Sequence, residues 1–152
     1  MNHVALRILK TIARSGEVPL LAAIRMATPR HQNHLDQYPL ALLLEGGYLG
    51  VTINYTPPAG AEEMREFALA KTLHMFTLPR GGDGVVHYLG IKSSGSMDPE
   101  KQSVFLRAKG ALYLDEQAQK FRDRIWSFVV GFSAGLLTAI ATAWAKGHLK
   151  LS

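Results

Sequence analysis

The sequence predicts an α+β fold, with three helices and a small antiparallel sheet followed by a long C-terminal helix that ends in a single transmembrane segment. Three observations predict it. Apolar residues recur at helical spacing up to residue 45, alternating apolar residues follow, and residues 125–145 carry no charge. About twenty residues rising about 1.5 Å each form a helix of about 30 Å, which matches the hydrocarbon core of a bilayer.

Length and composition limit the function classes. The chain has 152 residues, no cysteine and a formal net charge of +5. This length suffices for one small domain and a membrane segment. Without cysteine, neither a disulfide framework nor thiolate catalysis is available. The first residues lack a basic start followed by a long apolar run, so we expect no signal peptide.

Helical periodicity and local stop signals predict the first three helices. The first covers residues 4–14 and ends at Ser15-Gly16. The second covers residues 17–26, with Pro19 tolerated in its first turn. A polar turn over residues 30–35 follows, after which Asp36 is expected to cap a third helix that ends before Gly46-Gly47.

The middle of the chain predicts strands, with one further helix between them. Residues 48–56 alternate as a strand does, and Pro57-Pro58 ends them. A helix is expected over residues 61–72, and the period from residue 73 fits either a helix or a strand that leads to a turn at residues 79–84. We then expect a strand over residues 85–91, a polar loop over residues 92–102 and a last short strand over residues 103–107.

The uncharged stretch has the features of a transmembrane tail anchor. Trp126 and Trp144 fall near its two ends, where indoles favour the headgroup level. Gly131 and Gly135, extended by Ala139 and Ala143, repeat the small-residue spacing that lets helices approach closely in lipid. Self-association in the membrane is therefore expected. The alternative is a buried C-terminal helix of a soluble oligomer, since the stretch is rich in small residues.

Basic residues near the segment predict its orientation. More of them precede the segment than follow it, so the positive-inside rule places the preceding domain in the cytoplasm and the chain in the cell membrane as a single-pass protein. Those before it are Arg107, Lys109, Lys120, Arg122 and Arg124, and those after it are Lys146 and Lys150.

Residues 111–145 contain no proline and carry a continuous apolar seam. A single helix of about 35 residues, hence about 50 Å, could run from the domain into the bilayer and let two protomers pair along it. The alternative is that Leu114 and Phe121 pack back onto their own domain.

Two stretches resemble a winged helix-turn-helix domain at the superfamily level. Leu43-Leu-Glu-Gly-Gly-Tyr-Leu49 is similar to that family's exit from the third helix into a strand. Phe105-Leu-Arg-Ala-Lys-Gly-Ala-Leu-Tyr-Leu114 resembles its strand-to-helix hinge of the type Leu-Thr-x-Lys-Gly-x-x-Tyr-Leu. The resemblance implies a winged-helix-like domain over residues 1–119, with an insertion at about 57–84, followed by a juxtamembrane helix and membrane anchor over residues 120–152.

The resemblance implies the family's usual activity, DNA binding by the third helix, but the composition of that helix does not favour DNA binding. We expect that helix to expose Gln37, Ala41 and Glu45 and to contain no Lys or Arg, the residue types on which DNA readout most depends. Contact residues for DNA or a protein partner would then come from that helix and its surroundings. They are Arg25, Arg30, His31, His34, Gln37 and Arg80.

No motif supports catalysis or a bound cofactor. His31 and His34 in a polar turn lack the second pair that a tetrahedral metal site needs. The serines of residues 93–96 lack an Asp or His partner, and residues 80–84 lack the Lys-Ser/Thr of a phosphate-binding loop. We therefore expect no enzyme activity, no metal or other cofactor and no small-molecule substrate.

Together these patterns predict a membrane-anchored winged-helix protein that binds or senses a macromolecular partner at the cytoplasmic membrane face, as an oligomer. Two alternatives remain open at this point. One is a transcription regulator that binds DNA, and the other is a small effector that perturbs the membrane through assembly of its transmembrane helix.

Overall fold

The computed structural model describes residues 2–52, 65–81, 84–93 and 99–149. The chain divides into two compact units, Met1–Leu112 and Tyr113–Ser152. Helices and short antiparallel strands alternate in the first unit, and the long helix α5 (Ala108–Leu149) begins there and forms the described part of the second. The predicted mixed α+β class and the long apolar C-terminal helix are confirmed.

Helix α1 (His3–Ser15) begins at a side-chain cap and ends at a glycine, so the first predicted helix is confirmed. Asn2 Oδ1 accepts a hydrogen bond from the Val4 N–H (3.1 Å), which satisfies one of the donors that a first helical turn leaves unpaired. Gly16 has a φ of 77°, which glycine adopts without strain, and donates its N–H to the Ile12 carbonyl (2.8 Å).

The segment directly after α1 is a strand, and the prediction that it is helical is wrong. Strand β1 (Glu17–Pro19) pairs antiparallel with β5 (Ser103–Leu106), with Val18 opposite Val104. The chain becomes helical only in α2 (Leu20–Arg25), for which Pro19 is the N-cap residue. Local periodicity could not reveal β1, because its partner strand lies far along the chain.

The third helix begins later than predicted, and Asp36 does not cap it. A 3-10 turn (His34–Gln37) precedes α3 (Tyr38–Glu45) and is capped by Asn33 Oδ1, which accepts from the Leu35 N–H (2.9 Å). The prediction of a helix cap is wrong because the Asp36 carboxylate accepts hydrogen bonds from the backbone N–H groups of residues 30–32, in the preceding loop.

Strand β5 is the central strand of a three-stranded antiparallel sheet, between β1 and β2 (Leu49–Val51). Leu49 lies opposite Leu106, and Val51 lies opposite Val104. Of the strand predicted over residues 48–56, the part up to Val51 is confirmed, and residues 53–56 lie outside the described residues. The last predicted strand is confirmed as β5.

Helix α4 (Arg65–Met75) lies between β2 and β5 in the sequence and packs against α3 and the 3-10 turn at His34–Gln37. The helix predicted over residues 61–72 is confirmed from Arg65 onward, and residues 61–64 lie outside the described part. The ambiguous stretch from residue 73 is helical up to Met75 and continues into a loop that contains Arg80.

A hairpin follows α4 where a single strand was predicted. Strands β3 (Val86–Tyr88) and β4 (Ile91–Ser93) are joined by Leu89 (φ 46°) and Gly90 (φ 79°). Two successive positive φ angles are typical of a type I′ turn. The single-strand prediction is wrong because Leu-Gly is not one of the residue pairs, such as Asn-Gly, that mark this turn. Strand β4 and a second 3-10 turn (Pro99–Lys101) also replace part of the predicted polar loop.

The first turn of α5 packs against the C-terminal end of α3. Lys109 Nζ donates a hydrogen bond to the Gly46 carbonyl oxygen (2.7 Å) and lies 4.7 Å from the centroid of the Tyr48 ring. A cation is favourable there, because the last carbonyl groups of a helix carry a partial negative charge. Gly110 lies against the Tyr48 carbonyl, where a side chain would overlap it. The two stretches that carry the winged-helix resemblance therefore contact each other.

The core of the first unit joins α1, α2, α3, α4 and the sheet. Each buried aliphatic side chain contributes about 1.5–3 kcal/mol relative to an exposed one. The largest of the fully buried side chains are Ile8, Leu9, Ile12, Leu20, Ile24, Leu40, Leu43, Leu49, Leu73 and Val104.

Candidate functional site

The outward side of α3 exposes one large apolar side chain. Leu40, Ala41 and Leu43 are buried, whereas Leu42, on the opposite side of the helix, is 49% exposed. Helices α1 and α4 both pack on α3, so these two neighbours cover most of the surface of α3. With no Lys or Arg in α3, Leu42 is the most exposed side chain that this helix offers a partner.

The predicted exposure of Gln37 and Ala41 is wrong. Ala41 is fully buried and Gln37 is only 6% exposed, while Glu45 is half-buried. The error follows from α4, which packs against both α3 and the 3-10 turn that contains Gln37.

A cleft of about 500 Å3 lies beside Leu42, between the first half of α1, the loop before the 3-10 turn and the start of α3. Its walls combine apolar side chains with cationic and imidazole groups. The side chains that define it are Arg7, Arg30, His31, Leu35, Tyr38 and Leu42. Leu35 is 41% exposed, so the cleft places two large exposed leucines side by side with two arginines.

Arg7 is held in place at the wall of this cleft. One terminal nitrogen, Nη2, donates to the Met26 carbonyl (2.8 Å) and to the Thr28 hydroxyl (2.9 Å). These bonds fasten α1 to the chain that follows α2. A guanidinium has five N–H donors, so the Nε and Nη1 hydrogens remain for another acceptor as far as the described residues go.

Asp36 shapes the loop that carries Arg30 and His31. Its carboxylate accepts from the N–H groups of Arg30 (2.9 Å), His31 (3.0 Å) and Gln32 (2.8 Å). Burial alone would raise the pKa of Asp36, but these three backbone hydrogen bonds together lower it below its usual value. The carboxylate is thus ionised and hydrogen-bonded to its own backbone, and it forms no ion pair with Arg7 or Arg30 among the described residues.

A second cluster joins the 3-10 turn, α4 and the β3–β4 hairpin through aromatic rings. The Tyr88 hydroxyl lies 2.9 Å from His34 Nδ1 and accepts a hydrogen bond from the His34 backbone N–H (3.2 Å). The ring of Phe67 meets His34 edge-on at 5.2 Å, and the ring of His74 lies 4.7 Å from Tyr88. Lys71 Nζ lies 4.1 Å from the centroid of the Phe67 ring.

The surroundings of His34 favour its neutral form, because burial and the nearby Lys71 charge lower its pKa. The Tyr88 hydroxyl can donate to an unprotonated Nδ1 or accept from a protonated one, so the direction of this bond depends on the tautomer of His34. Burial and then His34 likewise lower the pKa of His74, against an opposing effect of Asp36. This cluster therefore stabilises the position of the hairpin best at a pH above the usual titration range of histidine.

A smaller cavity of about 280 Å3 contains two further predicted contact residues. Arg25, at the exposed end of α2, and Gln37 line it together with His74 and Thr77. The Oε1 atom of Gln37 is buried without a hydrogen-bond partner in the part of the chain that the structure describes. An unpaired buried amide oxygen costs about 1–3 kcal/mol, which a water molecule in the cavity would offset.

The structure brings only some of the predicted contact residues together. Arg30 and His31 share the cleft beside α3, whereas His34 faces Tyr88, and Arg25 and Gln37 line the smaller cavity. Arg80 lies apart from these residues, in the exposed loop between α4 and β3. Most of the serine-rich loop and part of the turn over residues 79–84 lie outside the described residues.

Within residues 2–52, 65–81, 84–93 and 99–149, no group of three or more His, Asp or Glu side chains could hold a metal ion. His31 and His34 diverge, since one is exposed at the cleft and the other is half-buried against Tyr88.

Helix α5 is long and apolar enough to cross a membrane, judged by length and composition, and its apolar stretch is not buried within the chain. Trp126 and Trp144 are exposed and are separated by about 27 Å at 1.5 Å per residue. The Thr138 and Thr142 hydroxyls donate to carbonyl groups one turn earlier (2.9 and 2.7 Å), which lowers their desolvation penalty in lipid.

Gly131 and Gly135 of α5 pack against nothing among the described residues. A methyl group added at Gly131 or Gly135 would meet no atom within 4 Å. The basic residues predicted to lie beside the membrane, Lys120, Arg122 and Arg124, are exposed, and Lys120 pairs with Glu116 (2.6 Å). Such an exposed ion pair contributes about 0–1 kcal/mol.

Sequence reasoning missed the residues that give the cleft its character. Leu35 falls in the stretch that was predicted to be a polar turn, and Arg7 is one of several charged residues on α1. A sequence signal existed only for α3, where Leu42, Leu43 and Leu44 are consecutive. Three neighbouring leucines span about 200° of a helix surface, so they cannot all face one core.

Comparison of the chain with models of protein families, with curated proteins and with solved structures gave no match. The function is therefore inferred from the chemistry of the chain's own surfaces.

Proposed function

We propose that this chain is a membrane-anchored winged-helix protein that binds a protein partner at the cytoplasmic face of the cell membrane and is not an enzyme. The exposure of Leu42 on α3, in a chain that also contains a helix able to cross a membrane, carries the proposal. Three lines of support concern the domain, the membrane and the partner.

The winged-helix assignment is supported by contacts between the two stretches that resemble that family. Lys109 binds the carbonyl of Gly46 and lies over the ring of Tyr48, and the Arg107 N–H donates to the Tyr48 carbonyl (3.1 Å). Three helices, a three-stranded antiparallel sheet and a following helix accompany them. Under this proposal α3 is the helix that would read DNA in a DNA-binding member.

The membrane assignment is supported by the composition and exposure of α5. An exposed apolar helix of this length in water would leave a patch far larger than soluble monomers tolerate. The excess of Lys and Arg before the apolar stretch favours a cytoplasmic Met1–Leu112 unit. Gly131 and Gly135 meet no neighbour among the described residues, which favours close approach of a second α5 helix and hence a homo-oligomer.

A protein partner is favoured over DNA by what α3 exposes. Half to two-thirds of protein–DNA hydrogen bonds go to phosphate and sugar, largely from Lys and Arg, and the commonest base contact is Arg or Lys to guanine. Helix α3 has neither residue and presents Leu42. Apolar side chains that are exposed on a helix face are instead typical of protein contacts.

Photo-crosslinking in membranes tests the proposal. A photoreactive amino acid at Leu42 should crosslink the full-length chain to a protein in the carbonate-resistant membrane fraction. The same group at Arg14, which is at the end of α1 away from the cleft, should not. Crosslinking to DNA, or nanomolar sequence-specific binding of duplex DNA at physiological salt, would contradict the proposal.

A further inference from the structure

We propose that the cleft between α1 and α3 binds an acidic amphipathic peptide segment of the partner, with large apolar side chains over Leu35 and Leu42 and carboxylates toward Arg7 and Arg30. The inference rests on the proposed function, because it specifies the chemistry of the partner at the same helix face. It depends on the shape of the cleft, its two leucines and its charge.

The leucines provide the apolar part of the site. Leu35 and Leu42 are 41% and 49% exposed, in a part of the unit where most aliphatic side chains are fully buried. They lie in a concave site of about 500 Å3 and not on a flat surface. A cleft of this volume admits one or two large side chains, which is the way in which helix-face grooves bind amphipathic segments.

The arginines provide the charge. Arg7 is already ordered by its two hydrogen bonds to Met26 and Thr28, so a carboxylate that binds its remaining N–H groups does not have to immobilise it. Arg30 is exposed at the same cleft. An ordered guanidinium beside apolar surface is a strong donor for a carboxylate.

Asp36 is the one carboxylate that the described residues place in the cleft wall, and it offsets only part of this charge. Its Oδ1 and Oδ2 accept the backbone N–H groups of residues 30–32, and among the described residues it forms no ion pair with Arg7 or Arg30. Two arginines beside one carboxylate leave the cleft wall positive, so an acidic segment fits better than a neutral one.

The shape and composition of the cleft favour a peptide over an anionic bilayer surface and over a nucleic acid. A bilayer surface is flat and would contact the rim of a cleft but not fill it. A nucleic acid would satisfy the arginines but would leave the leucines without an apolar partner. Both surfaces are nevertheless included as outcomes of the test.

The test uses the full-length protein in detergent micelles and a phage-displayed library of random dodecapeptides. The enriched peptides should combine Asp or Glu with Leu, Phe or Trp, and their affinity should fall as the salt concentration rises. Fluorescence anisotropy with the best enriched peptide should show about a tenfold or larger loss of affinity in Arg30→Glu and in Leu42→Ser.

Matched variants outside the cleft keep the test specific. Arg14→Glu changes the same charge on an exposed residue of α1, and Leu112→Ser removes an exposed leucine elsewhere in the unit. Both should bind the peptide with unchanged affinity. Leu35→Ser serves as a second cleft variant, and circular dichroism verifies that each variant is folded.

Each contrary outcome has its own meaning. Neutral or basic peptides that still depend on Leu42 would overturn the acidic partner and leave the proposed function in place. Failure to enrich any peptide, or binding that is insensitive to Leu42 and Arg30, would overturn the cleft as the site. Leu42-dependent binding of duplex DNA, or of vesicles of phosphatidylcholine and phosphatidylglycerol, would overturn both proposals.

Discussion

Gly110 is the residue at which a single methyl group should most disturb the first unit. A Cβ there would overlap the Tyr48 carbonyl and lie 2.8 Å from Leu106 Cδ1. Gly110→Ala should therefore lower the free energy of unfolding by about 1–3 kcal/mol, although alanine is the better helix former. Urea unfolding of the full-length protein in micelles measures it. Gln119→Ala, at an exposed position of the same helix, should cause no loss, and equal stability of both variants would contradict the contact.

His34 should make the first unit less stable in mild acid. Burial and Lys71 lower the pKa of His34, and burial and His34 lower the pKa of His74. Such a group binds fewer protons in the folded than in the unfolded chain. Its contribution to the free energy of unfolding is therefore complete above the unfolded pKa of about 6.5 and is lost as the pH falls below that value. Below the lowered pKa of the folded chain, the contribution stops changing.

The experiment compares unfolding free energies from neutral pH down through the histidine range. In His34→Ala the decrease with falling pH should be smaller than in the wild type, since the Tyr88 hydroxyl no longer binds an imidazole. His31→Ala, which changes an exposed imidazole at the cleft, is the control. An identical pH dependence in wild type and His34→Ala would show that the aromatic cluster does not couple protonation to folding.

At the scale of whole elements, the sequence predicted those whose signals are local. Helix α1 carries its cap at Asn2 and its stop at Gly16, and α5 is an uninterrupted apolar run. Strand β1 and the β3–β4 hairpin were missed for two different reasons. Pairing of β1 depends on a distant partner, and the hairpin turn at Leu89 uses a residue that rarely adopts positive φ.

The candidate site was predictable only in part for the same reason. Arg30 and His31 could be named from their position before the third helix, and both line the cleft. The exposure of Leu42 and the burial of Gln37 depend on which faces of α3 are covered by α1 and α4, and only tertiary structure determines that.

Helix α5 offers two faces for self-association, and the two faces predict different effects of substitutions on the oligomer. If small residues form the contact, Gly131→Leu and Gly135→Leu should block close approach and reduce the oligomer, while Phe128→Ala and Phe132→Ala should have little effect. We expect this result, because bulky apolar side chains gain little when they exchange lipid for another helix. Glycines, in contrast, let backbones make contacts that lipid cannot reproduce.

Crosslinking of the full-length chain in membranes measures the oligomer in all four variants. The phenylalanine rings stack on each other at 6.3 Å within one helix, so their removal also tests whether that stack contributes. Undiminished oligomer in both glycine variants would exclude the glycine face. Loss of oligomer in the phenylalanine variants alone would support an apolar seam that continues into the membrane.

For the whole molecule, the buried apolar side chains of the described residues all lie at or before Val104. The second unit, from Tyr113 onward, supplies none of them, although α5 begins in the first unit and Gly110 is buried there. The stability of the first unit should therefore depend on the start of α5 and not on its apolar stretch.

Deletion after Arg124 tests this division. The truncated chain keeps Lys109, Gly110 and every aliphatic side chain that is buried among the described residues. It loses the exposed apolar residues on which the proposed membrane association depends. It should remain in the soluble fraction after carbonate extraction, unfold cooperatively in urea, and retain the helical circular dichroism expected for the remaining residues. The full-length chain should stay in the membrane fraction. An insoluble or unfolded truncation would show that the apolar stretch belongs to the fold of a soluble oligomer, because a helix needed only for anchoring can be removed without loss of the core.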